Sequence, residues 1–541
     1  MVETENSGLK TFPRKLLFLW AALLGLGFVG RLLYGYEVDE LMHLHSAWCI
    51  GQGQLPYRDF YDNHLPVWHA LVSPVVGTFT HANLLVLIET RVVALAILVF
   101  LLVCFYRVCR AISPAAAPLA VGALILIHPF ETAGFELRPD WLAMVCILAS
   151  LLILQSSIPK RPGHVIDYSV IAGVLQGIAI GITQKSFFLV FAAVIWLIGT
   201  CHFADSREER RQRLFKLIAT VVGICIPIAI LIAWYARHNA TKDLLEYGIL
   251  QNLRWMREDD ILSGAQESVL ANFPIFAFAF IRLIQALGKA KQHLKAATME
   301  SLMLFLLVAG SLAYLKTPVP ISQWFLFMVV PWAACIGAIA MFDFAGSPEL
   351  FKQDKKSVII GCVIAILALK WYNMLIAGIG WGIILTLVWR KVRTYAEPGP
   401  RISAAFKVAF GIGIAVFAGR LVDEFGHLYV FKQIEAIHDV ENHLPNNAAI
   451  LAPWPNLAPF HPSASFHTFA IGGIYTVMSM ETLQDEYIEA LKSGKSKLVV
   501  FRPIDVEQKL PRFSKYVRQH GTLLRSDKIN LRVVETYVID K

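Results

Sequence analysis

Apolar runs long enough to cross a lipid bilayer recur along this 541-residue chain, and no other feature limits its possible folds so strongly. A hydrocarbon layer needs roughly 20 predominantly apolar residues per helix, because backbone polar groups inside lipid must be satisfied within their own segment. Candidate spans begin near Leu16, Arg91, Ala115, Trp141, Tyr168, Ser186, Leu217, Phe273, Ser301, Ile321, Ser357, Met374 and Ala404, about thirteen in all. Composition agrees, with 56% hydrophobic and 16% charged residues. A soluble chain of this size would expose more polar surface than these residues supply, so disorder and nucleic-acid binding are both disfavoured.

The net charge of +9 is first a topology signal, because cytoplasmic loops retain Lys and Arg. With the N-terminus inside, alternate connections carry Arg107 and Arg110, then Lys160 and Arg161, then Arg207, Arg210, Arg211, Arg213 and Lys216. The series continues through Lys289, Lys291 and Lys295, then Lys352, Lys355 and Lys356, then Arg390, Lys391, Arg393 and Arg401. An odd number of spans leaves the C-terminus outside. Lys10, Arg14 and Lys15 precede the first apolar run without a small-residue cleavage site before Arg31, which fits an uncleaved first helix. The eight cysteines include no C-x-x-C pair and read as small apolar residues of membrane helices.

The expected fold is therefore an all-α polytopic membrane body over residues 1–425, followed by a small extracytoplasmic α/β domain over residues 426–541. The tail alternates helical patterns (Leu428 to Leu444, Glu481 to Leu491) with strand-like runs (Lys497 to Phe501, Leu531 to Ile539). A first outer segment, residues 34–83, is too polar to span and too long for an ordinary connection. Another, Asp243 to Asp260, reads as an amphipathic helix in the interface. Gly173, Gly177 and Gly181 at four-residue spacing allow close helix packing.

Nucleotide fingerprints are missing: there is no G-x-x-x-x-G-K-[ST], and Gly51-Gln52-Gly53 lacks a third glycine. H-E-x-x-H is absent too. Polar density concentrates instead in Glu37-Val38-Asp39-Glu40-Leu41-Met42-His43-Leu44-His45. Adjacent carboxylates repel one another, which suits one of them to take up a proton as a general base or to recruit a cation. Asp39 and His43 at helical offset could form half a metal site, but Glu435 and His438 place an acid and a histidine in similar fashion on an ordinary amphipathic helix. The tail histidines His438, His461 and His467 are unassigned. The first segment continues as Gly53-Gln54-Leu55-Pro56-Tyr57-Arg58-Asp59-Phe60-Tyr61-Asp62-Asn63-His64-Leu65-Pro66, and a second charged cluster, Glu136-Leu137-Arg138-Pro139-Asp140, lies on the same outer side. Pro139 and Asp140 also suit the opening turn of a helix.

These residues resemble the GT-C superfamily of polytopic glycosyltransferases, in the branch related to protein O-mannosyltransferases and the lipid A aminoarabinose transferase. The resemblance rests on Asp39-Glu40 after the first helix, the run Gly53 to Phe60 with His64-x-Pro66, and Arg138-Pro139-Asp140 with Leu142-Ala143. Gly181-Ile182-Thr183-Gln184-Lys185 is similar to the family's Thr-Lys turn between spans. Two departures stand out: the usual His-Pro-Pro is here His64-Leu65-Pro66, and the stretch Lys316 to Pro320 lacks the family's frequent Arg-Tyr.

The resemblance implies a sugar donor on a polyprenyl phosphate, presented from the outer leaflet, with the lipid tail between helices. It implies a cell-envelope acceptor that is a lipid, a glycan or a protein, and a location in the cell (inner) membrane. Asp39 looks like the catalytic aspartate, Glu40 its neighbour and Asp140 the second-loop acid. Attack of a hydroxyl on an anomeric carbon needs a base, and the departing lipid phosphate needs cationic support. Arg58, Arg138 and Lys185 are the cations available on the outer side. Tyr57, Asp59, His64 and Glu136, which share those two clusters, complete the expected substrate-binding set. The resemblance fixes no cofactor, and a divalent metal ion beside the carboxylates is left open. A transporter or flippase of a lipid-linked or polar substrate would also explain a polytopic chain with an outer loop. Transporters, however, place ionisable groups near the midplane on broken helices, whereas these acids gather on one face.

Overall fold

The computed structural model describes residues 14–127, 130–156, 165–254, 269, 272–316, 322–346, 429–444, 448–454, 457–467, 479–529 and 532–539. Ten helices open the chain: α1 (Arg14–Tyr34), α2 (Val38–Gly51), α3 (Val67–Val76), α4 (Leu84–Ile112), α5 (Ala117–Leu126), α6 (Phe130–Ala133), α7 (Pro139–Ser156), α8 (Val165–Ile182), α9 (Ser186–His202) and α10 (Arg207–Arg237). Their ends follow local chemistry. Glu37 and Glu40 form a capping box on α2, Asn83 accepts from Val86 N–H at 3.0 Å to start α4, and Ser206 accepts from Glu209 N–H at 3.1 Å to start α10. Pro139 opens α7, with Asp140 in its first turn.

Apolar helices Phe273–Leu287, Met299–Lys316, Ser322–Met328 and Val330–Gly346 follow. Among the described residues, α4 and α10 are individually long and apolar enough to cross a membrane, and shorter apolar helices of 10–17 residues surround them. Phe100, Val103, Phe187, Phe191, Ile195, Ile198, Ile226 and Ile230 point outward from α4, α9 and α10, an apolar belt that suits lipid and not water. The chain is a membrane protein. The spans expected from Ser357, Met374 and Ala404 lie outside the described residues.

The outer segment is more regular than expected. A 79° bend after α1 sends α2 away from the α1 axis, and α3 returns beside it, with Gly51 against Gly77. Val67 of α3 in turn rests on Gly181 of α8. Gly173 and Gly177 face Thr220, Gly223, Ile224 and Pro227 of α10, so the glycine spacing serves a tight helix crossing, as expected. Residues 241–254 are helical, π-wound over Leu244–Leu250, with Leu245, Ile249 and Leu253 exposed as an interfacial helix requires; residues 255–260 lie outside the described residues.

The C-terminal part holds helices Tyr429–Asn442, Met480–Lys492, Pro503–Lys509 and Pro511–His520 and a sheet of β1 (Ala449–Trp454), β2 (Ser496–Phe501), β3 (Gly521–Ile529) and β4 (Arg532–Ile539), ordered β1-β2-β4-β3. β1 runs parallel to β2, and the other pairings are antiparallel. This part is fastened to the outer segment. Gln433 bonds both the N–H and the C=O of Tyr36, at 2.6 and 2.8 Å, His45 meets Pro459 O at 2.8 Å, and Tyr61 N–H donates to Phe466 O at 2.9 Å. One apolar core runs from Leu98 and Trp332 into Val430 and Leu498.

Candidate active site

The start of α2 brings three carboxylates within four residues, and each meets a different fate. Glu37 caps the helix. Burial, then Asp39 and Glu136, raise its carboxyl from 4.5 to about 7. Glu40 is 1% exposed and points into the bundle, where it pairs with Arg91 of α4, accepts from Leu137 N–H at 2.8 Å and accepts from Glu37 N–H at 2.9 Å. Asp39 faces the other way. It is 29% exposed, and its carboxylate has one partner among the described residues, Arg138 Nη1 at 2.8 Å.

Arg138 arrives from 99 residues downstream and is 6% exposed. The turn that carries it is fixed by Arg138 N–H donating to Glu136 O at 2.9 Å and by Trp141 Nε1 donating to Ala133 O at 2.8 Å. Its Nε bonds Glu136, which also binds Arg31 from the end of α1. Burial alone would push Glu136 upward, but Arg138, Arg31 and Arg91 together bring it down to about 2. Burial likewise disfavours the Arg138 cation, yet Glu136, Asp39 and Glu37 raise its pKa far above the usual value. Two residues on, Asp140 accepts from Lys185 Nζ at 2.7 Å, with both groups buried. Asp140 Oδ1 has no hydrogen-bond partner among the described residues. Among the ion pairs, Asp39 and Glu136 meet Arg138, Glu136 also meets Arg31, Asp140 meets Lys185, and Glu40 meets Arg91.

A histidine group adjoins this network. His43 of α2 meets His69 of α3 at 3.0 Å, and Asp62 lies 3.2 Å from His64 Nδ1 and 3.6 Å from His69 Nδ1. Burial opposes the Asp62 charge, but His69, His64 and Ser46 hold its carboxyl below the usual range. Burial lowers His43 well below an ordinary imidazole, aided by His64, His69, Arg138 and Lys185. Among the described residues, no three His, Cys, Asp or Glu side chains are placed to hold a metal ion.

All of this occupies one end of the bundle. Arg91, Asp140 and Lys185 lie near the starts of α4, α7 and α9, whereas Arg107 and Arg110 close α4. The basic start of α10 returns to that far end: Arg213 donates to Thr200 O at 2.7 Å, and Lys216 donates to Leu154 O. The network and the basic loops are thus on opposite faces.

Of the residues expected from sequence, Asp39, Glu136, Arg138, Asp140 and Lys185 are brought together, with His64 alongside. Four others are placed differently. Glu40 is enclosed and bonded on all sides, so it positions residue 137 and does not face the open side. Tyr57, 1% exposed with φ of 71°, turns into an apolar cluster with Leu55, Leu65, Tyr235 and Leu244 and bonds His64 O. Arg58 and Asp59 bond each other at 2.7 and 2.8 Å on the surface, where adjacent opposite charges satisfy one another. Sequence reading missed Arg31, Glu37, Arg91 and His69 as members. The spacing Glu37-x-x-Glu40 signals a capping box, and a lone Arg91 inside an apolar run signals a buried partner.

Comparison with solved structures gives the architecture a relative. ArnT from Cupriavidus metallidurans, bound to undecaprenyl phosphate, superimposes with a TM-score of 0.59 over 97% of this chain and 98% of its own, at 13% identity. The chain has the GT-C fold. The same protein in its apo state gives 0.58 at 12% identity, with the same coverage. The Archaeoglobus fulgidus oligosaccharyltransferase, tethered to an acceptor peptide containing the NVT sequon, gives 0.51 at 11% identity over 98% of this chain and 74% of that one. No family model and no curated protein matches the sequence.

Proposed function

We propose that this GT-C protein is a glycosyltransferase that moves a hexose or pentose from a polyprenyl-phosphate carrier to a cell-envelope acceptor on the extracytoplasmic face. The observation that carries the reading is the Asp39–Arg138 pair. One partly open carboxylate is held by a buried guanidinium from a distant segment, beside the enclosed Lys185–Asp140 pair and opposite the basic loops. The GT-C fold and an ArnT structure containing undecaprenyl phosphate support the choice of carrier.

In the proposed reaction the acceptor hydroxyl attacks the anomeric carbon while Asp39 takes its proton. The bond from that carbon to the lipid phosphate oxygen breaks, and the electron pair leaves on the phosphate. Arg138 and Lys185 stabilise that departing charge, the first through a planar fork and the second as a point charge. Arg138 also fixes where Asp39 points, so base and leaving-group support share one anchor. Inversion at the anomeric carbon follows from the single displacement. In this reading residues 1–425 form the membrane body of about thirteen spans with a cytoplasmic N-terminus, and residues 426–541 form an extracytoplasmic domain.

The test compares envelope glycans of a deletion strain complemented with wild-type or Asp39→Asn protein. The expected result is a glycan restored only by the wild type, at equal membrane levels of both proteins. Restoration by the Asn variant removes the proposed base.

A further inference from the structure

Two buried histidines, His43 and His69, the half-buried His64 and the buried Asp62 adjoin the charged network and have no part in the reaction just described. Asp62 is an acceptor, and its Oδ2 faces His69 Nδ1 at 3.6 Å, just beyond hydrogen-bond distance; neither atom has a hydrogen-bond partner among the described residues, so the carboxylate charge attracts a proton on the facing nitrogen. The proton of His69 is therefore assigned to Nδ1, which leaves Nε2 as its acceptor atom. His43 Nδ1 lies 3.0 Å from that Nε2 and must donate to it. The chain of bonds ends at His43 Nε2, a bare lone pair with no partner among the described residues. Two further features favour an acceptor there. Arg138 and Lys185 direct positive charge at His43, which favours the neutral ring, and the His64 ring stands edge-on to it with centroids 4.7 Å apart. The three elements that supply the chain, α2, the loop before α3 and α3 itself, are locked by Gly51 against Gly77 and by His64 N–H bonding Asp62 Oδ1 at 2.7 Å.

Building on the proposed transferase reading, we infer that His43 Nε2 accepts a hydrogen bond from a hydroxyl group of the bound substrate, and that Asp62 and His69 are positioning residues that keep His43 in the required tautomer. The ligand chemistry is a sugar or alcohol hydroxyl. It belongs either to the sugar in transit or to the acceptor. Among the described residues no group competes for that lone pair, so a substrate lacking the hydroxyl forfeits that bond, which is how such a site discriminates.

Two measurements test this. The first needs no activity. Nitrogen-15 histidine spectra of the full-length protein in nanodiscs, with the His43 signals assigned by their loss in His43→Gln, are expected to show a neutral ring protonated at Nδ1. Asp62→Asn is expected to shift that signature toward a tautomer mixture. A His43 ring protonated at Nε2 overturns the inference.

The second is sugar transfer in membranes. His43→Phe is expected to lose roughly tenfold or more in kcat/KM, the scale of one hydrogen bond to a buried group. His43→Gln, whose side-chain oxygen can accept, is expected to retain most of the rate. His69→Leu is expected to fall with His43→Phe and His69→Gln to recover, a rescue that a purely structural role would not produce. A loss confined to the acceptor KM assigns the hydroxyl to the acceptor, and one confined to the donor KM assigns it to the sugar. Wild-type rates in both His43→Phe and His69→Leu overturn the inference while leaving the Asp39 reading intact. Absence of transfer by the wild type overturns that reading instead, and the spectra still report the tautomer.

Discussion

Replacing Arg91 by Met should destabilise the protein severely, although Arg91 is not assigned to the chemistry. Arg91 is 0% exposed and Glu40 1% exposed, so the pair has no solvent to fall back on. Met fills similar space but removes the guanidinium from Glu40, from Gly35 O at 2.6 Å and from Phe135 O at 3.2 Å. Breaking a buried pair by removing one partner costs about 3–5 kcal/mol, because the remaining charge is left uncompensated. At about 1.4 kcal/mol per factor of ten, that is roughly a hundredfold or more in the folded-to-unfolded ratio. Domain stabilities of about 5–15 kcal/mol leave little margin for such a loss. The assay is a temperature ramp on purified protein, followed by fluorescence-detected size-exclusion chromatography. Arg91→Met should lose its monodisperse peak at a clearly lower temperature, and the double variant Arg91→Met/Glu40→Gln should regain much of the difference, since both charges are then gone. A melting profile for Arg91→Met that overlays the wild type would refute the reasoning that this pair fixes α2 against α4.

Other consequences follow from the same network. Glu37 has its carboxyl raised from 4.5 to about 7 by burial and by Asp39 and Glu136, so its ionisation costs stability as pH rises through that window. Glu37→Gln should therefore melt above the wild type at about pH 8 and converge with it below the ordinary carboxyl value of 4.5; a constant difference would contradict the assignment. Lys185→Met strips Asp140 of its bonded cation and should abolish transfer, which the glycan profile of a complemented strain would show. Arg58→Ala should leave both melting and transfer unchanged, because the one hydrogen-bond partner of Arg58 among the described residues is Asp59, at the exposed surface.

Much of this arrangement is legible in the chain before any fold is drawn, and the reasons differ by residue. In a chain so apolar, charged side chains clustered outside the apolar runs stand out, which is why Asp39, Glu136, Arg138 and Asp140 can be named from sequence. Some helix starts fall where the apolar runs place them, as at Ser186 and Phe273. β2 and β4 coincide with their apolar runs, whereas the Arg525-Ser526-Asp527-Lys528 interior of β3 hides its strand character, and pairing with β4 is what forms it. α4 begins at Leu84, about two turns before Arg91. An arginine read as a span boundary is instead a buried partner, since its contact with Glu40 spans 51 residues and has no local trace. Tyr57 and Arg58 lie apart from the cluster for the opposite reason: their neighbours Leu55 and Asp59 satisfy them locally, and composition cannot show which way a loop turns.

The central claim is that Asp39, oriented by Arg138, is the proton acceptor in sugar transfer. Its most direct test is the initial rate of transfer from a radiolabelled polyprenyl-phosphate sugar by purified wild-type and Asp39→Asn proteins, matched for folded amount and donor binding. A fall of roughly a hundredfold or more in kcat is expected for the Asn variant, the scale of a lost general base, with the donor KM little changed. Equal kcat values for the two proteins would contradict it.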